Sequence, residues 1–279
     1  MENFLSVLLQ LLLLTLAPPI ALGLAVWAAN RLFCYLVGDG AARPFLLGAL
    51  ALSTLLREVG HMCACLLFFH RIDDIRLLDL HAPDGELGFV EHSYRPRNPV
   101  ALLGSLFYAL FPVIVGLFAV LVILLCCFRG VLGPFFGEVA LLGESGAGFS
   151  DYARVTFDFL PRLFTARASG VFSAVVGSVL LLAIVSGIHV SPRELADSIS
   201  GLLLYGVLCL VATAIFVLPG ERVTRIAIGG VRTFSTAVTA LLLVVCLFAA
   251  VLLALGALVF LVRTLFGLDA NAPIQDREE

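Results

Sequence analysis

The chain has 279 residues, of which 61% are hydrophobic and only 13% charged, and its formal net charge is −3. A soluble domain of this length does not need so much apolar surface, because a single core stops growing near this size. The composition therefore predicts a polytopic membrane protein, and the lack of a basic excess argues against a nucleic-acid partner.

Six apolar runs are long enough to cross the roughly 30 Å hydrocarbon core of a bilayer, which takes about 20 helical residues. In chain order they cover about 4–29, 45–69, 99–127, 169–189, 201–218 and 236–264. The first run lacks the basic n-region of a signal peptide and continues past any cleavage-like position, so we interpret it as a retained anchor. We expect one all-α integral membrane domain over 1–279, with about six transmembrane helices, C-terminal helices over 201–264 and a polar tail at 265–279.

Three connecting segments carry structure of their own. Residues 71–95 alternate apolar and polar side chains around a Pro-Asp-Gly sequence at 83–85, which predicts a β-hairpin at the membrane surface between the second and third transmembrane helices. Residues 149–164 place aromatic side chains among charges, which is typical of a helix that lies in the interface. Residues 221–234 contain three arginines and a glycine pair, and we interpret them as a basic surface on lipid headgroups.

The residues around the hairpin predict its surroundings. His70 lies at the membrane edge, where it can reach water, and His81 and His92 flank the hairpin turn, where we expect them to be solvated. The helices on either side of the hairpin contain small residues, among them Gly60 and Gly104. Because small residues allow close approach, we expect these two helices to pack together.

The second apolar run contains three ionisable residues, Arg57, Glu58 and His61. Ionisable side chains at that depth are costly, so they mark a functional site. On a helix, positions 57 and 61 share one face, and position 58 lies about 100° around the axis. Two histidines at positions 57 and 61 would chelate zinc. The guanidinium of Arg57 has no lone pair to offer, so a cation stands where a zinc motif has a ligand.

A second polar segment follows the fourth apolar run and contains His189, Glu194 and Asp197 around a Ser-Pro dipeptide. A serine, a proline and then an acid three residues after the serine are typical of a helix start with a capping box. The same segment could supply a partner for Arg57, since an isolated buried charge costs several kcal/mol. We predict an ion pair of Arg57 with Glu58, Glu194 or Asp197.

A membrane helix with a Glu-x-Gly-His element, a β-hairpin and then a helix with a central proline, Pro112, resembles the site-2 protease family of intramembrane zinc metalloproteases. The resemblance covers about residues 45–205. In that family two histidines and a later aspartate bind zinc, and a glutamate is the general base. The resemblance implies that Glu58 matches the base and His61 the second histidine. Arg57 falls on the first histidine, and Phe111 precedes the proline where the family usually has glycine, so the motif is degenerate.

The degenerate motif leaves three functions open. In the first, the protein is a pseudoprotease without a cofactor that binds lipid and a transmembrane segment of another membrane protein. In the second, it is an active intramembrane metallopeptidase in which zinc is held by His61 together with His189, Glu194 or Asp197. In the third, a transporter, the buried cluster would relay protons or ions, although no inverted repeat is evident. We favour the first, because catalytic zinc sites typically have three protein ligands, and we expect a bacterial inner membrane.

Overall fold

The computed structural model describes residues 4–38, 43–79, 87–145, 149–165 and 170–266. Within these ranges the chain forms nine α-helices and one two-stranded sheet. In order these are α1 (Phe4–Val37), α2 (Arg43–Leu67), β1 (Arg71–Arg76), β2 (Phe89–Ser93), α3 (Pro99–Cys127), α4 (Arg129–Ser145), α5 (Phe149–Thr165), α6 (Val171–Val185), α7 (Pro192–Asp197), α8 (Ile199–Val217) and α9 (Glu221–Leu265). The protein is an all-α polytopic membrane protein, as its composition predicts.

Five of the described helices are long and apolar enough to cross a bilayer, namely α1, α2 over 50–67, α3, α8 and α9. Helix α6, in the fourth apolar run, has 15 residues, which is about 22 Å and shorter than the hydrocarbon core. It ends where the chain turns against α2, since Gly187 lies against the carbonyl of Ser53 with no room for a side chain. The run predicted at 169–189 is therefore a short helix followed by a buried turn.

Helix α9 corrects the interpretation of residues 221–234 as a connecting segment with structure of its own. It is one continuous helix of 45 residues that includes the glycine pair, and it packs along α1. Glycine weakens a helix by about 1 kcal/mol per residue, but packing against a neighbour outweighs local propensity. Arg232 points toward α1 and donates a hydrogen bond to the Oε1 of Gln10 at 2.6 Å. Of the three arginines in this segment, Arg222 and Arg225 are exposed and Arg232 is partly buried.

The hairpin predicted over 71–95 is present as an antiparallel pair of strands. Arg71 lies opposite Ser93 and Arg76 opposite Phe89, with one irregularity in register in between. The Pro-Asp-Gly turn at 83–85 and His81 lie outside the described residues, as does the tail from 267 onward. The segment leading into β2 covers the middle of α2, because Gly88 lies directly against the side chain of Glu58.

Helices α2 and α3 pack closely at a glycine. A Cβ atom at Gly60 would lie 2.8 Å from the Cα atom of Pro112, so only glycine permits this distance. Gly104 makes the same kind of contact with the side chains of Phe68 and His70. This close approach brings the polar face of α2 against the N-terminal half of α3.

Gly60→Ala should therefore lower the apparent melting temperature of the protein in detergent. The added methyl group would meet backbone atoms of α3 that cannot move without separating the helices, at a cost of about 1–3 kcal/mol. Gly48→Ala is the matched control in the same helix, because a Cβ there meets no atom within 4 Å. The control should be neutral or slightly stabilising, and equal effects of the two changes would contradict the packing described.

Candidate functional site

Arg57 lies at the centre of a cluster of charged side chains inside the helix bundle. Its Nη1 donates a hydrogen bond to the Oε1 of Glu58 at 3.1 Å, and its Nη2 donates one to the Oε1 of Glu194. The Nε2 of His61 lies 3.2 Å from the same Glu194 oxygen. Glu58 and His61 are buried, whereas 27% of the Arg57 side chain is exposed. The structure thus joins α2 to α7 through one carboxylate.

The start of α7 orients Glu194 toward this cluster. Ser191 caps the helix, its Oγ accepting a hydrogen bond from the Glu194 amide at 3.2 Å, and its own amide donates to the Oε2 of Glu194 at 3.0 Å. One carboxylate oxygen therefore completes a capping box while the other faces Arg57 and His61. Burial alone would raise the pKa of Glu194, but the hydrogen bond from His61 and the charge of Arg57 outweigh it and hold that pKa below its usual range.

The imidazole ring of His61 has an oxygen atom beside each of its nitrogens. Its Nδ1 lies 3.1 Å from the carbonyl oxygen of Tyr108, and its Nε2 faces Glu194. Both contacts are hydrogen bonds only when both nitrogens carry protons. Arg57 compensates part of the charge of the two carboxylates, and the ring of His61 lies directly against Glu194.

The other two predicted residues of this segment lie apart from the ion pairs. The Nδ1 of His189 is 2.7 Å from the carbonyl oxygen of Ser186. Burial and the nearby charge of Arg57 lower the pKa of His189 to about 4, so this ring is neutral at neutral pH. Asp197 is exposed at the end of α7 and, within the described ranges, forms no ion pair with Arg57.

A stack of aromatic rings that sequence reasoning missed leads from His61 to the hairpin. The ring of Tyr108 lies 4.2 Å from that of His61 and 4.0 Å from that of His92. The Tyr108 hydroxyl donates to the carbonyl oxygen of Val90 at 2.8 Å. His92 is half-buried, and burial together with the neighbouring His70 lowers its pKa to about 4, so the expectation that it is solvated was wrong.

His70 was also expected at the membrane edge and is buried instead. Its Nε2 is 2.8 Å from the carbonyl oxygen of Ala101, and its ring stacks on those of His92 and Tyr94. The alternation along β2 contains the signal for this stack, because residues 90, 92 and 94 share one face of a strand. The hairpin is therefore part of the site and not only a surface feature.

The described side chains do not fit a metal ion. No three of the described histidine, cysteine, aspartate and glutamate residues converge so that they could hold one. His61 and Glu194 do approach each other, but the guanidinium of Arg57 fills the place beside them. A guanidinium stays protonated and cannot coordinate a cation.

Comparison of the chain with protein-family models, with curated proteins and with solved structures finds no match. The site is a set of ion pairs in which Arg57 and Glu194 are partly exposed, whereas Glu58 and His61 are buried.

Replacing Arg57 tests the arrangement through stability. Arg57→Ala should lower the apparent melting temperature strongly, since it leaves a buried carboxylate without its cation, at a cost of about 3–5 kcal/mol. Arg57→Ala combined with Glu194→Gln should be less destabilised, because glutamine removes the unpaired charge and still completes the capping box.

The control is Arg57→Ala combined with Asp197→Asn, which neutralises an acid three residues away that does not contact Arg57. Thermal unfolding in one detergent compares all three proteins. Equal rescue by both second substitutions would show that Glu194 has no special role as the partner.

Proposed function

We propose that this protein is a site-2-protease-like membrane protein in which an internal cluster of ion pairs replaces the zinc centre, and that it acts by binding. The position of Arg57 carries this proposal. Its guanidinium lies between the carboxylates of Glu58 and Glu194 and beside His61. Under the resemblance, Glu58 matches the general base and His61 the second histidine, and Glu194 was one candidate for the third ligand.

The hydrogen bonds of the cluster support the proposal that the protein has no metallopeptidase activity. One oxygen of Glu194 already faces Arg57 and His61, and the other accepts from the Ser191 amide. Little acceptor capacity is left for a metal, and the permanent charge of Arg57 would repel one. A catalytic zinc site needs three protein ligands and an open position for water, and this cluster offers neither.

The partner we propose is a transmembrane segment of another membrane protein, in a bacterial inner membrane. The short helix α6 supports this choice, because its Val171 and Phe172 are each more than 80% exposed. A segment shorter than the hydrocarbon core is commonly accommodated by association or by local thinning of the bilayer. A helix packed on α6 would cover these side chains, with lipid covering the remaining apolar surface.

Elemental analysis of the purified protein tests the replaced zinc centre. The wild-type protein should contain far less than one zinc per chain, because Arg57 removes a ligand and adds charge. Arg57→His should bind about one zinc per chain, since it restores two histidines one helical turn apart. Adding His61→Ala should remove that zinc again.

Arg193→His is the matched control, because it introduces a histidine nearby without completing the pair and should bind no zinc. About one zinc per wild-type chain, lost on His61→Ala, would overturn the proposal in favour of the metallopeptidase. An Arg57→His protein that binds no zinc would count against the resemblance to a zinc centre.

A further inference from the structure

A polar cavity of about 670 Å³ lies beside the ion-pair cluster, between α1, α2 and the turn from α6 to α7. Small-molecule sites typically have about 300–1,000 Å³, so the cavity is large enough for a ligand. Three arginines line it, one from each wall: Arg31, Arg57 and Arg193. No carboxylate is among the described residues that line it.

Two of these arginines have no charge partner within the described part of the chain. Arg31 and Arg193 are exposed and form no ion pair there, unlike Arg57 with its two carboxylates. His189 also lines the cavity. Because its pKa is lowered to about 4, its ring is neutral at neutral pH and does not change the charge of the cavity. The cavity is therefore a pocket of positive charge.

Two buried polar atoms of the lining residues also lack hydrogen-bond partners. The Nε of Arg57, a donor, and the Oδ1 of Asn30, an acceptor, are both buried with no partner among the described atoms. Leaving a buried polar group unsatisfied costs about 1–3 kcal/mol. Asn30 and Arg57 both line the cavity, so its wall contains polar residues whose hydrogen bonds are not all made within the described chain.

The cavity also lies where Asn30 and Arg31 interrupt the apolar sequence of α1, which resumes over 32–37. The apolar run extends to Ala29 and is followed by Asn30 and Arg31, with Trp27 one turn before. Tryptophan and arginine are typical of the level of the lipid headgroups. A phosphate group at that level is within reach of the cavity.

We propose that this cavity binds a phosphate group, carried by an anionic lipid headgroup or by a phosphorylated solute. Guanidinium groups match phosphate geometry with two parallel hydrogen bonds. Arg31 and Arg193 bind the charge at the exposed side, and Arg57 closes the inner side. Arg57 belongs both to this cavity and to the ion-pair cluster, whereas Arg31 and Arg193 take no part in the cluster, so changes at these two arginines test the phosphate site separately from the proposed zinc replacement.

Trp27 provides the test, because it is the only tryptophan of the chain and it lines the cavity. The full chain is reconstituted in phosphatidylcholine bilayers that contain brominated phosphatidylglycerol or brominated phosphatidylcholine, and quenching of Trp27 fluorescence is measured. We expect the brominated anionic lipid to quench more strongly at equal mole fraction. Arg31→Gln with Arg193→Gln should reduce this preference about fivefold or more.

The matched control is Arg222→Gln with Arg225→Gln, which removes two exposed positive charges from the start of α9, outside the cavity lining. It should keep the preference. Equal loss in both double variants would mean general attraction of anionic lipid and would overturn the proposal. If the cavity double variant fails to fold, the single change Arg193→Gln makes the same comparison.

A second arm separates the two sources of phosphate. Glycerol phosphate is titrated onto the protein in detergent at constant ionic strength, with chloride as the reference, while Trp27 fluorescence is recorded. A saturable change that the Arg31→Gln and Arg193→Gln variant loses identifies a solute, and lipid preference without it identifies a lipid. No response in either arm, or a response that the variant keeps, would overturn the proposal.

Discussion

The carboxylate of Glu194 connects the parts of the protein that meet at the site. One of its oxygens accepts from the Ser191 amide and so caps α7, while the other contacts both Arg57 and His61 of α2. A buried ion without a partner costs several kcal/mol even after relaxation. The turn from α6 to α7 and the polar face of α2 therefore have to be placed together, since neither can bury its charges alone.

The same constraint extends to α3 and the hairpin through His61. Close packing at Gly60 brings the Tyr108 carbonyl and ring to His61, and Tyr108 in turn contacts the hairpin at Val90 and His92. Helices α3 and α7 thus contact the cluster directly, and the strand β2 contacts it through Tyr108. Buried ion pairs that join several elements are suited to holding a shape, which agrees with a protein that we propose acts by binding.

The sequence predicted that Arg57 needs an acid, because the cost of a buried charge is general, but it left three acids open. Which acid lies beside Arg57 depends on tertiary structure: the capping box turns Glu194 back toward α2, whereas Asp197, at the other end of α7, is exposed. Local sequence was also a poor guide to α9, whose glycine pair reads as a break although packing along α1 keeps the helix continuous. The contacts of His92 with His70 and Tyr108 depend on how the two strands pair, so they could be predicted only once the residues on that face of the hairpin were known.

Solid-state nitrogen NMR of the histidine side chains in lipid bilayers shows most directly whether the Nε2 of His61 carries a proton or binds a metal. The signals of His61 are identified by their loss in His61→Gln. We predict that the Nε2 of His61 carries a proton, because it faces the carboxylate oxygen of Glu194, which can only accept. A His61 ring whose Nε2 is unprotonated, whether neutral or bound to a metal, would contradict the replacement of a metal centre by the Arg57–Glu194 ion pair.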